Sequence, residues 1–152
     1  MKYIQRTLIA ALTSVCLLST AAHADDALKM QLSANKVMTS TEGKVTYAPI
    51  STAPAGTVVQ YKATYMNTIN KDIQDLMVVL PIPANMSFNG VASPTSAQAS
   101  IDGKNYADMP LMRKVDGKLV KIPLSEYRTL RWNIKLLPAQ KSAAVALNTI
   151  VE

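Results

Sequence analysis

Beyond its first two dozen residues, this chain alternates apolar and polar residues in short runs, and no apolar stripe at helical spacing persists over a dozen positions. Period-two runs bounded by Pro, Gly, Asn and Asp predict β-strands. Val58 to Met66 is the clearest case, with Val59, Tyr61, Ala63 and Tyr65 on one face and Gln60, Lys62 and Thr64 on the other. A strand turns successive side chains to opposite sides, so the first set predicts a core face and the second a wet one. Pro54-Ala55-Gly56 marks the start, and Asn67 with Asn70 marks the exit turn. In Ile73 to Leu80, Leu76, Val78 and Leu80 share one face while Met77 and Val79 cover the other. Apolar residues on both faces predict a central, well-buried strand, ended by Pro81 and Pro83, since proline cannot donate to a ladder.

Further strands are predicted at Met86 to Val91, Ala97 to Ile101, Lys118 to Ile122, Thr129 to Lys135 and Ser142 to Val151, with two more around Leu28 to Leu32 and Lys44 to Tyr47. Leu130, Trp132 and Ile134 would face inward, as would Val120 and Ile122. Asp102-Gly103 and Asp116-Gly117 are hairpin signals, because glycine adopts positive φ at little cost. Seven to nine short strands, roughly 8–15 residues apart, favour a β-sandwich or barrel. The chain has 152 residues, enough for one domain with a substantial core, and no internal repeat or linker divides it.

The first residues follow a different pattern. Lys2 and Arg6 precede an apolar run from Leu8 to Leu18, and Ala22-His23-Ala24 is an A-x-A cleavage site. Together these predict a secretory signal peptide over residues 1–24, with one domain over 25–152. The apolar run is about half the roughly 20 residues that a membrane span needs, so no transmembrane segment is expected after cleavage. Processing would remove the only Cys (Cys16) and the only His (His23). What remains has no disulfide, no Cys or His ligand for zinc, haem or iron–sulfur, and no Ser-His-Asp or Cys-His nucleophile system. No cofactor and no enzymatic activity are therefore expected.

The processed chain loses Lys2 and Arg6 and keeps a net charge of +4. The charge is concentrated: Lys104 to Lys141 holds nine basic residues against three acidic ones. Such a face can meet anionic lipid or polysaccharide. Tyr106, Tyr127 and Trp132 lie among these cations as stacking platforms for nucleic acid do, but Trp132 shares the apolar face of its strand, so nothing favours nucleic acid.

The run 55–67, Ala-Gly-Thr-Val-Val-Gln-Tyr-Lys-Ala-Thr-Tyr-Met-Asn, resembles the opening of the bacterial conserved-repeat family, domain of unknown function eleven. Val78-Val79-Leu80-Pro81, the Trp132 strand, Leu137-Pro138 and the final alternating run follow in the family's order. The unit occurs once rather than in tandem, and Ala139 stands where the family has glycine, so this turn must avoid positive φ or bear strain. The resemblance implies an immunoglobulin-like β-sandwich in an exported envelope or surface protein, and it implies no particular activity.

Carboxylates are the remaining catalytic option, since a glycosidase needs two of them flanking a bond. Asp72 and Asp75 sit at the entry to a strand, an odd number of positions apart, which predicts opposite faces. Asp102, Asp108 and Asp116 lie in or near turns, where Asp caps backbone N–H groups. Asn85-Met86-Ser87 is a formal glycosylation sequon. An isopeptide cross-link would join Lys29 or Lys36 on the first strand to Asn148 on the last. Met109, Leu111, Met112, Arg113 and Lys114 form an apolar segment leading into a basic pair, and methionine-rich apolar surface suits adaptable binding. These five are the candidate partner-binding residues. The expected partner is another envelope or surface protein, with anionic polysaccharide or lipid as the alternative.

Overall fold

The computed structural model describes residues 27–152; the expected signal segment, with Cys16 and His23, lies outside the described residues. The described chain is all-β, and its sheets do not close into a barrel. One sheet has five antiparallel strands in the order β2 (Val45–Pro49), β1 (Leu28–Thr39), β3 (Val58–Asn67), β11 (Ser142–Val151), β5 (Met86–Ser93). A second has four, in the order β4 (Ile73–Pro81), β10 (Thr129–Leu137), β6 (Gln98–Ser100), β7 (Ala107–Asp108). β8 (Met112–Val115) and β9 (Lys118–Lys121) pair only with each other.

Alternation builds the core as predicted. Val59, Ala63 and Tyr65 of β3 are buried with Val145 and Leu147 of β11 and Phe88 of β5. From the other sheet, Val78 and Leu80 of β4 meet Leu130, Trp132 and Leu137 of β10 in the same cluster, the shared interior of a sandwich arrangement. Trp132 hydrogen-bonds through Nε1 to Pro94 O at 2.8 Å, which satisfies its polar atom inside the core. Burial pushes the Tyr65 phenol above its ordinary pKa, because the ionised form would lose its hydration.

Three short crossings set which strands face each other. Residues 68–72 carry β3 over to β4, residues 138–141 carry β10 over to β11, and residues 94–97 carry β5 over to β6. β3, β11 and β5 therefore lie opposite β4, β10 and β6, and β1 and β2 project past the end of the smaller sheet.

The structure corrects several expectations. Eleven strands form among the described residues, more than the seven to nine predicted. The additional ones include β7, only two residues long, and β8, which leans on no core and so shows no buried face. β4 is not central but the edge of its sheet, with Met77 and Val79 exposed on its outer side. Val120 is exposed, because β9 belongs to the separate hairpin, while Ile122 just beyond it is buried.

Turn chemistry explains the remaining local geometry. Asp116 (φ 50°) and Gly117 (φ 78°) form the predicted tight turn of the β8–β9 hairpin. At residues 138–141 the left-handed position falls not on Ala139 but on Gln140 (φ 59°), whose Nε2 donates to Thr68 O at 2.7 Å. In β5 the pairing with β11 slips between Leu147 and Thr149, and Gly90 takes φ 93° there, as a bulge requires.

Asp102-Gly103 makes a broader loop than the predicted tight hairpin, because the Asp102 carboxylate gathers donors around itself. Lys104 N and Asn105 N each donate to it at 2.8 Å, as does Ser100 Oγ. The Asn105 backbone bond first, then that of Lys104 and the Asn105 and Ser100 side chains, hold the carboxyl well below the usual carboxylate range. A depressed native pKa contributes stability above the ordinary value of 3.8 and loses it as pH falls below that. Asp102→Ala is therefore expected to lower the urea midpoint at pH 7 and to flatten its decline between neutral and strongly acidic pH. Parallel pH profiles for the two proteins would contradict this role.

Candidate interaction surface

The segment between β7 and β10 builds a protruding hairpin with a firmly held root. Leu111 and Ile122 flank the hairpin and are both buried, and Ile122 N donates to Leu111 O at 2.9 Å. Leu111 N donates in turn to Tyr127 Oη at 2.7 Å, and the Tyr127 ring stacks on Phe88 in the core, 5.9 Å between centroids. Beside this root the Arg113 guanidinium grips the Glu126 carboxylate with two bonds of 2.7 and 2.9 Å. Planar two-bond pairing fixes orientation better than a single contact. Glu126 lies in a 3-10 turn, Leu124–Glu126, that packs against β5.

Beyond the root, every residue of β8 and β9 is exposed. The register Met112↔Lys121 and Lys114↔Leu119 puts those four on one face. Arg113, Val115, Lys118 and Val120 form the other. Each face thus mixes two apolar residues with two cations, and Leu119 is 63% exposed. Solvent-facing leucine, valine and methionine on a short rigid ribbon make apolar area available without further ordering.

The five predicted partner-binding residues divide accordingly. Met112 and Lys114 are presented outward on the hairpin. Arg113 is committed to Glu126. Leu111 is buried and serves as an anchor, and Met109, joined to Pro110 by a cis peptide, is half-buried against the core. Leu119, Val115 and Val120 join the presented surface, which sequence reasoning missed. The Asp116-Gly117 turn predicts the hairpin, but only the absence of a packed neighbour leaves both its faces wet.

The other candidates resolve into structural roles. Asp72 accepts from Ala139 N at 2.9 Å, tying one inter-sheet turn to the next. Asp75 pairs with Lys135 at 3.2 Å, and Asp108 accepts from Gln98 Nε2 at 2.9 Å. No group of three or more His, Cys, Asp or Glu gathers among the described residues. Neither Lys29 nor Lys36 is placed to meet Asn148. β3 separates β1 from β11; Lys29 lies level with Ser142, six positions or about 20 Å up the strand, and Lys36 shares the face of Val59 and Thr149 rather than that of Asn148.

Of the remaining basic residues, Arg131 and Lys135 lie on the outer side of the smaller sheet, and Lys104, Arg128 and Lys141 lie in connecting segments. Arg131 donates to Gln98 Oε1 at 2.9 Å and lies 4.4 Å from the centre of the Tyr106 ring, a cation–π contact. With Met77, Asn133, Lys135 and Asp108 it lines an open groove of about 440 Å³. No helix among the described residues is long and apolar enough to cross a membrane. Comparison with protein-family models, with curated proteins and with solved structures finds no match to this chain.

Proposed function

We propose that this protein is an exported, non-enzymatic interaction module of the bacterial cell envelope. In this reading it is an immunoglobulin-like sandwich, and its β8–β9 hairpin takes hold of another envelope protein. The observation that carries the reading is the contrast within the hairpin: a root locked by Leu111, Ile122, Tyr127 and the Arg113–Glu126 pair, and a tip that offers Met112, Leu119, Val115 and Val120 to solvent. A pre-ordered ribbon spares the entropy that a floppy loop would lose on binding. The signal-like N-terminus and the resemblance to the conserved-repeat family support the location and the fold.

In-cell photo-cross-linking from position 119 tests this. A reproducible adduct with one envelope protein is expected, and its yield should fall at least tenfold in the double variant Met112→Ser, Lys114→Ser. Thermal stability should be unchanged, because both side chains are exposed. An undiminished yield would remove the hairpin from the interface. Leu111 is unsuited to this test, since truncating it opens a cavity at the root.

The mixed face Met112, Lys114, Leu119 and Lys121 favours one second reading, docking on an anionic lipid or polysaccharide surface. Each lysine brought to an anionic bilayer contributes about 1 kcal/mol, and the attraction fades within a Debye length. Binding to anionic vesicles that falls steeply with salt would support this reading over the protein partner.

A further inference from the structure

Among the described residues the smaller sheet of the sandwich has one strand fewer than the larger. Of the four edges of the two packed sheets, two are blunted in the ways natural sheets use: β7 is two residues long, and β5 packs against the turn Leu124–Glu126. In the larger sheet β2 pairs only with Asn35–Thr39, so Leu28–Ser33 of β1 is open on that side among the described residues. β4 is nine residues long, pairs only with β10, and has no neighbour on its other side among the described residues. Its stretch Leu76 to Leu80 carries no charge, bounded by Asp75 in a left-handed conformation (φ 49°) and by Pro81. Ile82 N donates to Arg128 O, and antiparallel ladders alternate, so the N–H and C=O groups of Met77 and Val79 point to the open edge.

Directly across from that edge, the larger sheet is bare on its core side. Met30 pairs with Tyr65 and Leu32 with Ala63, and residues opposite each other share a face. Tyr65 and Ala63 are buried in the core, yet Met30 is 60% exposed and Leu32 53% exposed, because the smaller sheet stops at β4. Further down β1, Ala34 is covered by the chain at Ile50 to Ala53.

We infer that an extended segment of another polypeptide, apolar at alternate positions, pairs with β4 at Met77 and Val79 and lays its apolar side chains on Met30 and Leu32. This rests on the export reading above, through chain length. Cleavage after Ala24 leaves three residues before β1, spanning about 10 Å when extended, too few to turn back along β4. A second folded copy does not fit either. Pairing β4 with its twin about a dyad would drive the overhanging β1 and β2 of each copy into the space held by β3 and β11 of the other. A single donated strand meets neither obstacle, and its backbone bonds supply affinity while its alternate side chains supply selectivity.

The test uses the exported chain with a probe strand, Thr-Val-Thr-Val-Thr-Val-Thr, fused ahead of Ala27 through a four-residue Gly-Ser turn. Tethering raises the effective concentration to the millimolar range, so weak pairing is read. Amide exchange at Met77 and Val79 is expected to slow at least tenfold, and peroxide oxidation of Met30 several-fold. Replacing the three probe valines with lysine should abolish both effects. Unchanged exchange at Met77 and Val79 would overturn the inference, as would protection confined to the Met30 and Leu32 amides, which would place the strand on the edge of β1. In cells, a photo-cross-linker at position 77 is expected to label an alternating apolar segment of a different polypeptide; adducts only with a second copy of this chain would overturn the choice of occupant. The probe experiment needs no cellular partner, so its failure and the failure of the envelope reading are separately visible.

Discussion

Tyr127→Ala is expected to be among the most damaging single substitutions in this chain. Tyr127 is buried and stacks on Phe88, so its removal leaves a large cavity, which costs about 3–5 kcal/mol for an aromatic residue. Its hydroxyl also accepts the Leu111 N–H at 2.7 Å, and orphaning that buried donor costs about 1–3 kcal/mol more. Against a typical domain stability of about 5–15 kcal/mol, the sum brings the fold close to its limit. Tyr127→Phe separates the two parts: it keeps the ring and loses only the hydroxyl, for about 1–3 kcal/mol. Urea unfolding measures both variants. Amide exchange across β8 and β9 should quicken in Tyr127→Phe while that of β3 and β11 stays slow. If the hairpin amides are unaffected, the hydroxyl is not its anchor.

A strand is legible in this sequence where one of its faces is wet. β3 and β10 each bury alternate residues, so alternation alone places Val59, Ala63, Tyr65, Leu130 and Trp132 in the core. Leu76 to Leu80 carries no such signal. An apolar run of this kind looks the same whether its second face is covered by protein or bare at a sheet edge, and strand order is a long-range property. Alternation fades near Leu32, yet β1 runs to Thr39, because pairing with both β3 and β2 sustains the strand beyond that point. Asp116-Gly117 foretells its turn, whereas Asp102-Gly103 does not: side-chain bonds from Asp102 compete with the backbone pairing of a tight hairpin.

The candidate surface is half legible for the same reason. Met109 to Lys114 reads as one apolar-basic segment, yet the structure divides it between anchor and presented face. Leu111 and Met112 are adjacent and both apolar; one meets Tyr127 at the sandwich end, and the other points to water. That difference arises only when residues 122–127 return to close the root. The bare side of β1 has a related origin, since Met30 and Leu32 alternate like core residues and the sequence does not show that the facing sheet is one strand short.

Asn67→Ala is the second large expected effect, about 2–4 kcal/mol, although it removes only a small side chain. Asn67 is completely buried at the corner where β3 leaves for the other sheet. Its Nδ2 donates to Lys71 O at 2.8 Å and to Leu137 O and Pro138 O at 3.1 Å, and its Oδ1 accepts from Ile69 N at 3.1 Å. One amide thus joins the crossing 68–72 to the end of β10 and the crossing 138–141; alanine takes this donor from Lys71 O and the buried Leu137 O and the acceptor from Ile69 N, while Pro138 O keeps the bond from Lys141 N. Asn67→Asp distinguishes hydrogen bonding from packing. The volume is kept, but an ionised carboxylate would face three carbonyl oxygens, so the loss at pH 7 should exceed that of alanine. Repulsion of this kind raises the native pKa of the new carboxyl above its unfolded value, so stability should return as pH falls toward that value and the protonated group donates one bond. Urea unfolding of both variants at pH 7 and near pH 4.5 measures the difference. An aspartate variant no worse than alanine, with no recovery in acid, would mean that the corner is held by packing alone. If the recovery is seen, this one amide fixes the facing of β3 over β4 and of β11 over β10, and with it the overhang that leaves Met30 and Leu32 uncovered.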